Sequence, residues 1–145
     1  MRRYWIERSF AVGDEVVVDG DLFHHIFGVC KQSVGDCFEL LSSQSQAFLA
    51  KVEDVNKKCA TVRIIEQRKL DALPKPYIKL CLSVPKFNTF EKVLEKSVEL
   101  GVHTVQPLFS EYSFVRSAMK ISAQKIERWQ KIIKGATQQS GRGNL

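Results

Sequence analysis

The chain has 145 residues, 44% of them apolar and 26% charged, which excludes a disordered polymer and is enough for one ordinary domain or two small ones. Its formal charge of +6 favours a polyanionic partner such as nucleic acid, although an acidic protein surface or anionic lipid would also be attracted. The excess is confined to one half: residues 1–74 carry 10 Lys/Arg against 11 Asp/Glu, and residues 75–145 carry 12 against 5.

From the N-terminus, five short runs rich in β-branched and aromatic residues are strand-sized: 3–6, 15–18, 37–41, 47–52 and 60–65. Turn signals separate them, among them Gly13-Asp14, Asp19-Gly20-Asp21, Gly35-Asp36 and the polar run Ser42 to Gln46. Five strands at this spacing predict a small β-barrel over residues 1–70. Between the second and third runs, Leu22, His25, Ile26 and Val29 recur at helical spacing behind Asp21, which predicts a short helix capped by Asp21 and closing one barrel end.

Pro74 and Pro76 stiffen the backbone and forbid both helix and central strand, so residues 71–76 are expected to be a linker. Beyond it the pattern becomes strand (77–84), helix (89–100), strand (104–109), helix (122–139), as in a parallel α/β sheet. Asn88 is the expected cap of the first helix, with Glu91 reaching back, Phe90, Val93, Leu94 and Val98 forming its buried stripe and Gly101 ending it. The second helix places Ile126, Trp129, Ile133 and Ala136 on one face and turns Arg128, Lys131 and Lys134 away. Two strands cannot cover two helices, so residues 77–145 read as a partial α/β domain that stops in mid-domain.

Four cysteines (Cys30, Cys37, Cys59, Cys81) lack any C-x-x-C spacing, and His24, His25 and His103 add no ligand pattern, so reduced thiols and no metal are expected. The opening residues contain no apolar run suited to a signal peptide or a membrane span, and a cytoplasmic location without membrane attachment is the default.

Four segments, in order along the chain, carry a resemblance. Met1-Arg2-Arg3-Tyr4-Trp5 stands with His24-His25-Ile26-Phe27-Gly28-Val29-Cys30-Lys31; Val84-Pro85-Lys86 leads through Glu91, Lys96 and Glu99-Leu100-Gly101-Val102 to Pro107-Leu108-Phe109-Ser110-Glu111; Trp129 to Ile133 and Gln138-Gln139-Ser140-Gly141-Arg142 follow. Together they resemble the 16S rRNA (uracil-N3) methyltransferases, whose PUA-like barrel precedes a knotted methyltransferase domain of the SPOUT class. The chain departs from that pattern at Gly28 and Tyr112, where the family carries arginines; Arg116 is either a replacement for the second or plain surface.

The resemblance implies transfer of a methyl group from S-adenosylmethionine to N3 of a uridine in 16S rRNA by a homodimer. It also implies a cofactor site in the knot beyond Leu145, so that this stretch alone would bind the cofactor poorly and be inactive. The implied catalytic candidates are Glu111, to orient or deprotonate, Arg142, to steady charge on a uracil carbonyl, and Gln139. Gly141 is expected to turn Arg142 toward the sheet's carboxyl edge, where α/β ligand sites lie. Implied RNA contacts are Arg2, Arg3, His24, His25, Lys31, Lys86 and Arg116, since cations neutralise phosphates and rings stack on unpaired bases. Two alternatives remain at this point: a non-catalytic RNA-binding module, to which Gly28 and Tyr112 lend support, and a protein-interaction domain with a basic face.

Overall fold

The computed structural model describes residues 1–71, 73 and 75–143, which group into two compact units, Met1–Leu70 and Asp71–Gly143. Within the predicted linker, residues 72 and 74 lie outside the described residues.

The first unit is a five-stranded mixed sheet built from β1 (Arg3–Ile6), β2 (Glu15–Asp19), β3 (Cys37–Ser42), β4 (Gln46–Val55) and β5 (Cys59–Lys69), in spatial order β1-β3-β4-β5-β2. β1 runs parallel to β3, and every other pairing is antiparallel. Alternation in the sequence becomes sidedness in the sheet: Val16 and Val18 are buried while Val17 is exposed, and Ala60, Val62 and Ile64 fill the same interior from β5. Phe38 and Phe48 complete it from β3 and β4.

The predicted barrel is corrected in one respect. β1 and β2 occupy the two edges and do not pair with each other, so the sheet is a curled half-barrel. Register shifts between β4 and β5 at Leu49/Ala50 and Val52/Asp54 are the bulges that bend it.

Helix α1 (Gly20–Phe23) continues as a π-helical turn, His24–Val29. The wider turn shifts the inward face, so that Ile26 and Phe27 are buried while Val29 is exposed. Asp21 does not cap: Asp19 stands at the N-cap without a side-chain bond, and Asp21 already lies inside the first turn.

In the second unit β6 (Lys79–Ser83) and β7 (Thr104–Leu108) pair in parallel, joined through α2 (Phe87–Glu99), and α3 (Ala123–Ser140) packs on α2. The core is Val84, Phe90, Leu94, Val115 and Trp129. The expected cap at Asn88 does not form. Lys86 is the N-cap, its carbonyl accepting from the Thr89 and Phe90 amides, because drawing both Phe87 and Phe90 toward Trp129 starts the helix two residues earlier.

Glu91 reaches across to Arg128 of α3 instead of back to a cap, at 2.8 and 2.9 Å, while Arg128 stays largely exposed as expected. Ser122 caps α3 by accepting from the Lys125 amide. Gly101 (φ +80) and Gly141 (φ +75) end the two helices in the left-handed region that favours glycine.

Candidate functional site

Three places gather the side chains that the sequence singles out. On the first unit, His24, His25, Lys31 and Arg2 are exposed around the π-helical turn. The Tyr4 ring meets His25 edge-on at 5.7 Å, and His25 Nε2 lies 3.9 Å from Cys30 Sγ. Burial and then the neighbouring Cys30 push the Tyr4 phenol above its usual range, and the contact with Cys30 raises the Arg2 guanidinium.

The His24 ring lies over Gly28: a Cβ at that position would stand 3.0 Å from Nδ1. The glycine thus has a local reason, since a side chain there would have to displace His24. Arg3 is differently placed. Its Nε donates to Glu39 at 2.8 Å, and Glu39 also receives Arg68, so Arg3 is half-buried in an ion triad.

On the second unit, the carboxyl edge of β6 and β7 carries a hydroxyl cluster. Ser113, buried, accepts from the Ser110 amide at 2.8 Å and shares hydrogen bonds with the hydroxyls of Ser83 and Ser110. This pins the turn that presents Glu111, which is exposed. Val115 N donates to Val84 O at 3.2 Å and holds the following segment against the end of β6. Lys86 Nζ stands 5.5 Å from the centroid of the Phe114 ring, with Arg116 exposed two residues further on.

Arg142 lies elsewhere. Its Nη1 donates to the carbonyls of Val98 and Val102, both at 3.1 Å, at the amino edge of β7, and burial lowers its pKa. The expectation that it points to the carboxyl edge is corrected. α3 runs in the same direction as α2, with Arg128 beside Glu91 early and Arg142 beside Val98 late, so the residue after α3 arrives at the amino edge. There the guanidinium adds a second donor to the Val98 carbonyl, which also accepts from the Gly101 amide, bonds the Val102 carbonyl in the loop that follows, and complements the dipole of α2. Gln139, exposed in the last turn of α3, shares that end. Glu111 and Arg142 are therefore separated by the length of β7, five residues or roughly 16 Å.

Arg142→Ala should cost about 1–3 kcal/mol, because two hydrogen bonds from a charged donor are lost, although the Val98 carbonyl keeps the Gly101 amide. A urea midpoint unchanged from that of the parent chain would show that the two bonds contribute nothing.

Arg142 also lines a cavity of about 110 Å³ with Leu94, Ser97, His103, Val105 and Ile133. Organic cofactors of nucleotide size occupy pockets of about 300–1,000 Å³. The groove between α2 and α3 is larger, about 410 Å³, but it is open and walled by Glu91, Lys92, Glu95 and Arg128, with Ile132 as the apolar side chain available to an adenine. Neither fits such a cofactor. Among the described residues no three His, Cys, Asp or Glu side chains converge to hold a metal ion, and no helix is long and apolar enough to cross a membrane.

The sequence reading passed over Ser83, Ser113 and Phe114. A turn bracketed by serines at 110 and 113, with aromatic residues at 112 and 114, was the available signal.

A βαβ unit with its polar turn at the carboxyl edge is a ligand-binding arrangement in α/β proteins, and comparison with known proteins gives it a family. The family model described as "RNA methyltransferase domain" matches residues 72–145, and the chain belongs to that family. It is similar to ribosomal RNA small subunit methyltransferase E of Bacillus subtilis, 29% identical over 150 residues that span 100% of this chain and 58% of the relative. It is also similar to the protein of the same name from Synechocystis, 32% identical over 120 residues, 82% of this chain and 37% of the relative.

Among solved structures it is similar to a ribosomal RNA small subunit methyltransferase E from Neisseria gonorrhoeae bound to S-adenosyl methionine. The TM-score is 0.82 and the identity 28%, over 100% of this chain and 59% of that one. A methyltransferase from Legionella pneumophila in complex with the same cofactor gives a TM-score of 0.81 at 27% identity, over 99% of this chain and 59% of that one. The chain spans little more than half the length of the curated relatives, 55% and 58% for the first two.

Proposed function

We propose that this chain is the RNA-engaging and α/β portion of an S-adenosylmethionine-dependent methyltransferase acting on N3 of a uridine in 16S rRNA. The observation that carries the reading is the likeness to the Neisseria gonorrhoeae enzyme, which extends over the whole chain. In this reading residues 1–70 are a PUA-like RNA-binding half-barrel, 71–76 a linker, and 77–145 the first half of a SPOUT-like methyltransferase domain. The protein works as a cytoplasmic homodimer on rRNA or the small ribosomal subunit.

Arg2, His24, His25 and Lys31 are exposed around one turn and supply the cations and rings that an RNA contact needs. Arg3 supports that surface through its bond to Glu39, and on the second unit Lys86 and Arg116 are the cations offered to RNA. S-adenosylmethionine would supply the methyl group when bound, but neither the cavity beside Arg142 nor the groove between α2 and α3 fits it.

What the residues present can do is handle a proton. Attack by N3 requires loss of its hydrogen, and Glu111, exposed on a pinned turn at the carboxyl edge, is the carboxylate placed to accept it. Arg142, at the opposite edge, is a positioning residue that fixes the end of α2, with Gln139 exposed beside it in the last turn of α3.

Incubation of the natural polypeptide with methyl-labelled S-adenosylmethionine and unmodified small subunits, followed by nucleoside mass spectrometry, should yield 3-methyluridine. Glu111→Gln should lower that rate by about 10²–10⁴-fold while leaving RNA affinity in place. A rate within fivefold of the parent removes Glu111 from the chemistry. RNA binding with no label transferred would favour a non-catalytic RNA-binding module.

A further inference from the structure

The segment after β7 exposes two aromatic rings from a fixed mount. Tyr112 is 89% and Phe114 64% exposed, whereas the residues between and after them, Ser113 and Val115, are 6% and 2% exposed. Ser113 is held by the Ser110 amide and the Ser83 hydroxyl, and Val115 by the Val84 carbonyl, so the backbone under the rings is tied at two successive anchor points. Burial therefore alternates along the segment, and Tyr112, Phe114 and Arg116 share the exposed phase.

Two rings on an unpaired polar surface need an occupant, since isolated apolar side chains are common on surfaces but an anchored aromatic pair among cations is not. The chemistry around them selects one. Lys86 Nζ stands over the Phe114 ring, Arg116 follows it, and the half of the chain that carries them has 12 Lys/Arg against 5 Asp/Glu. Aromatic faces flanked by cations suit a strand of exposed bases on a phosphate backbone, where stacking supplies affinity and the cations neutralise phosphates. A duplex hides its base faces, and an apolar protein partner would leave Lys86 and Arg116 without counter-charge.

We infer that Tyr112 and Phe114 form a stacking platform for unpaired nucleotides, with Lys86 and Arg116 on the adjoining phosphates. The platform rests on the reading that the substrate is RNA, and places single-stranded or flipped-out nucleotides at the carboxyl edge beside Glu111. Because its backbone is pinned before binding, little ordering cost opposes the stack. Glu111 repels phosphate, so the backbone of the strand lies on the Lys86 and Arg116 side.

The test uses the chain with a short fluorescein-labelled single-stranded RNA and a blunt duplex of the same sequence, read by anisotropy at one salt concentration. Tyr112→Ala and Phe114→Ala should each weaken single-strand binding by roughly 5- to 150-fold and leave duplex binding unchanged. Tyr112→Phe should keep the parental affinity, because it keeps the ring. Both rings are exposed, so far-UV circular dichroism should not change.

Equal losses on single strand and duplex, or no loss on either, would overturn the platform while leaving RNA as the substrate. A parent chain that binds neither RNA overturns the platform and the RNA reading together. Self-association of the parent that disappears in Tyr112→Ala would assign the rings to a contact between copies and overturn the platform also.

Discussion

Trp129→Ala is expected to destabilise the second unit by about 3–5 kcal/mol, the usual cost of truncating a buried aromatic. The core around it has four other buried members, Val84, Phe90, Leu94 and Val115, so there is little neighbouring side chain to collapse into the space. The ring lies 4.6 Å from Phe90 and 6.2 Å from Phe87, both on α2, and it is the main apolar bridge by which α3 is held to α2. A second variant separates volume from polarity. The indole Nε1 is buried with no acceptor among the described residues, an arrangement that itself costs about 1–3 kcal/mol. Trp129→Phe removes that orphan donor along with some volume, and should cost markedly less than half of the alanine loss. Urea unfolding followed at the helical band near 222 nm reads both. A Trp129→Ala midpoint within 1 kcal/mol of the parent, taking a typical denaturant slope, would mean that this core does not hold the helices together.

The strands of the first unit were legible because each has one buried and one exposed face, so that Val16-Val17-Val18 and Ala60 to Ile64 announce themselves by alternation. Helix stops were equally readable, since Gly101 and Gly141 occupy backbone conformations that other residues resist. Closure of the sheet was not. It depends on whether the edge strands β1 and β2 meet, which is decided by bulges in β4 and β5 and leaves no mark on hydrophobic period. The π-helical turn escaped for a related reason: its five-residue bonding displaces Phe27 inward and Val29 outward relative to a 3.6-residue template. At the candidate site, sequence marked Lys86 and Glu111 and the structure puts both near the carboxyl edge of the short sheet. It could not show that Arg142 is drawn to the carbonyls of Val98 and Val102, because those partners lie 44 and 40 residues away and carry no side-chain signature.

Glu39→Gln is the second large effect expected, and its dependence on pH identifies its cause. The Glu39 side chain is 10% exposed and sits between two guanidinium groups, Arg3 on β1 and Arg68 on β5. Burial by itself would raise the carboxyl, but hydrogen bonds from Arg3 and then Arg68 outweigh it and hold the group below the ordinary carboxylate range. Breaking a fully buried pair costs about 3–5 kcal/mol, but here the arginines keep 32% and 51% of their surface in water, so a loss of about 2 kcal/mol at neutral pH is expected. An exposed group makes the contrast: replacing Arg63, paired with Glu15 and Glu53 on the surface, by alanine should cost far less than Glu39→Gln, because solvent screens its pairs. Because the folded carboxyl binds its proton less readily than the unfolded one, the unfolded state takes up more protons as the solution is acidified. The contribution of Glu39 is thus fully present above the unfolded value of about 4.3 and is lost as pH falls through the lower folded value. Parent and Glu39→Gln chains should therefore converge in stability as the solution is acidified below the folded value. If the gap at acid pH equals the gap at pH 7, the loss is one of packing and the ion triad is not its source. The same variant bears on RNA recognition, since it removes one negative charge beside Arg3: RNA affinity should stay equal or rise, whereas a loss of affinity would mean that the triad positions the contact surface.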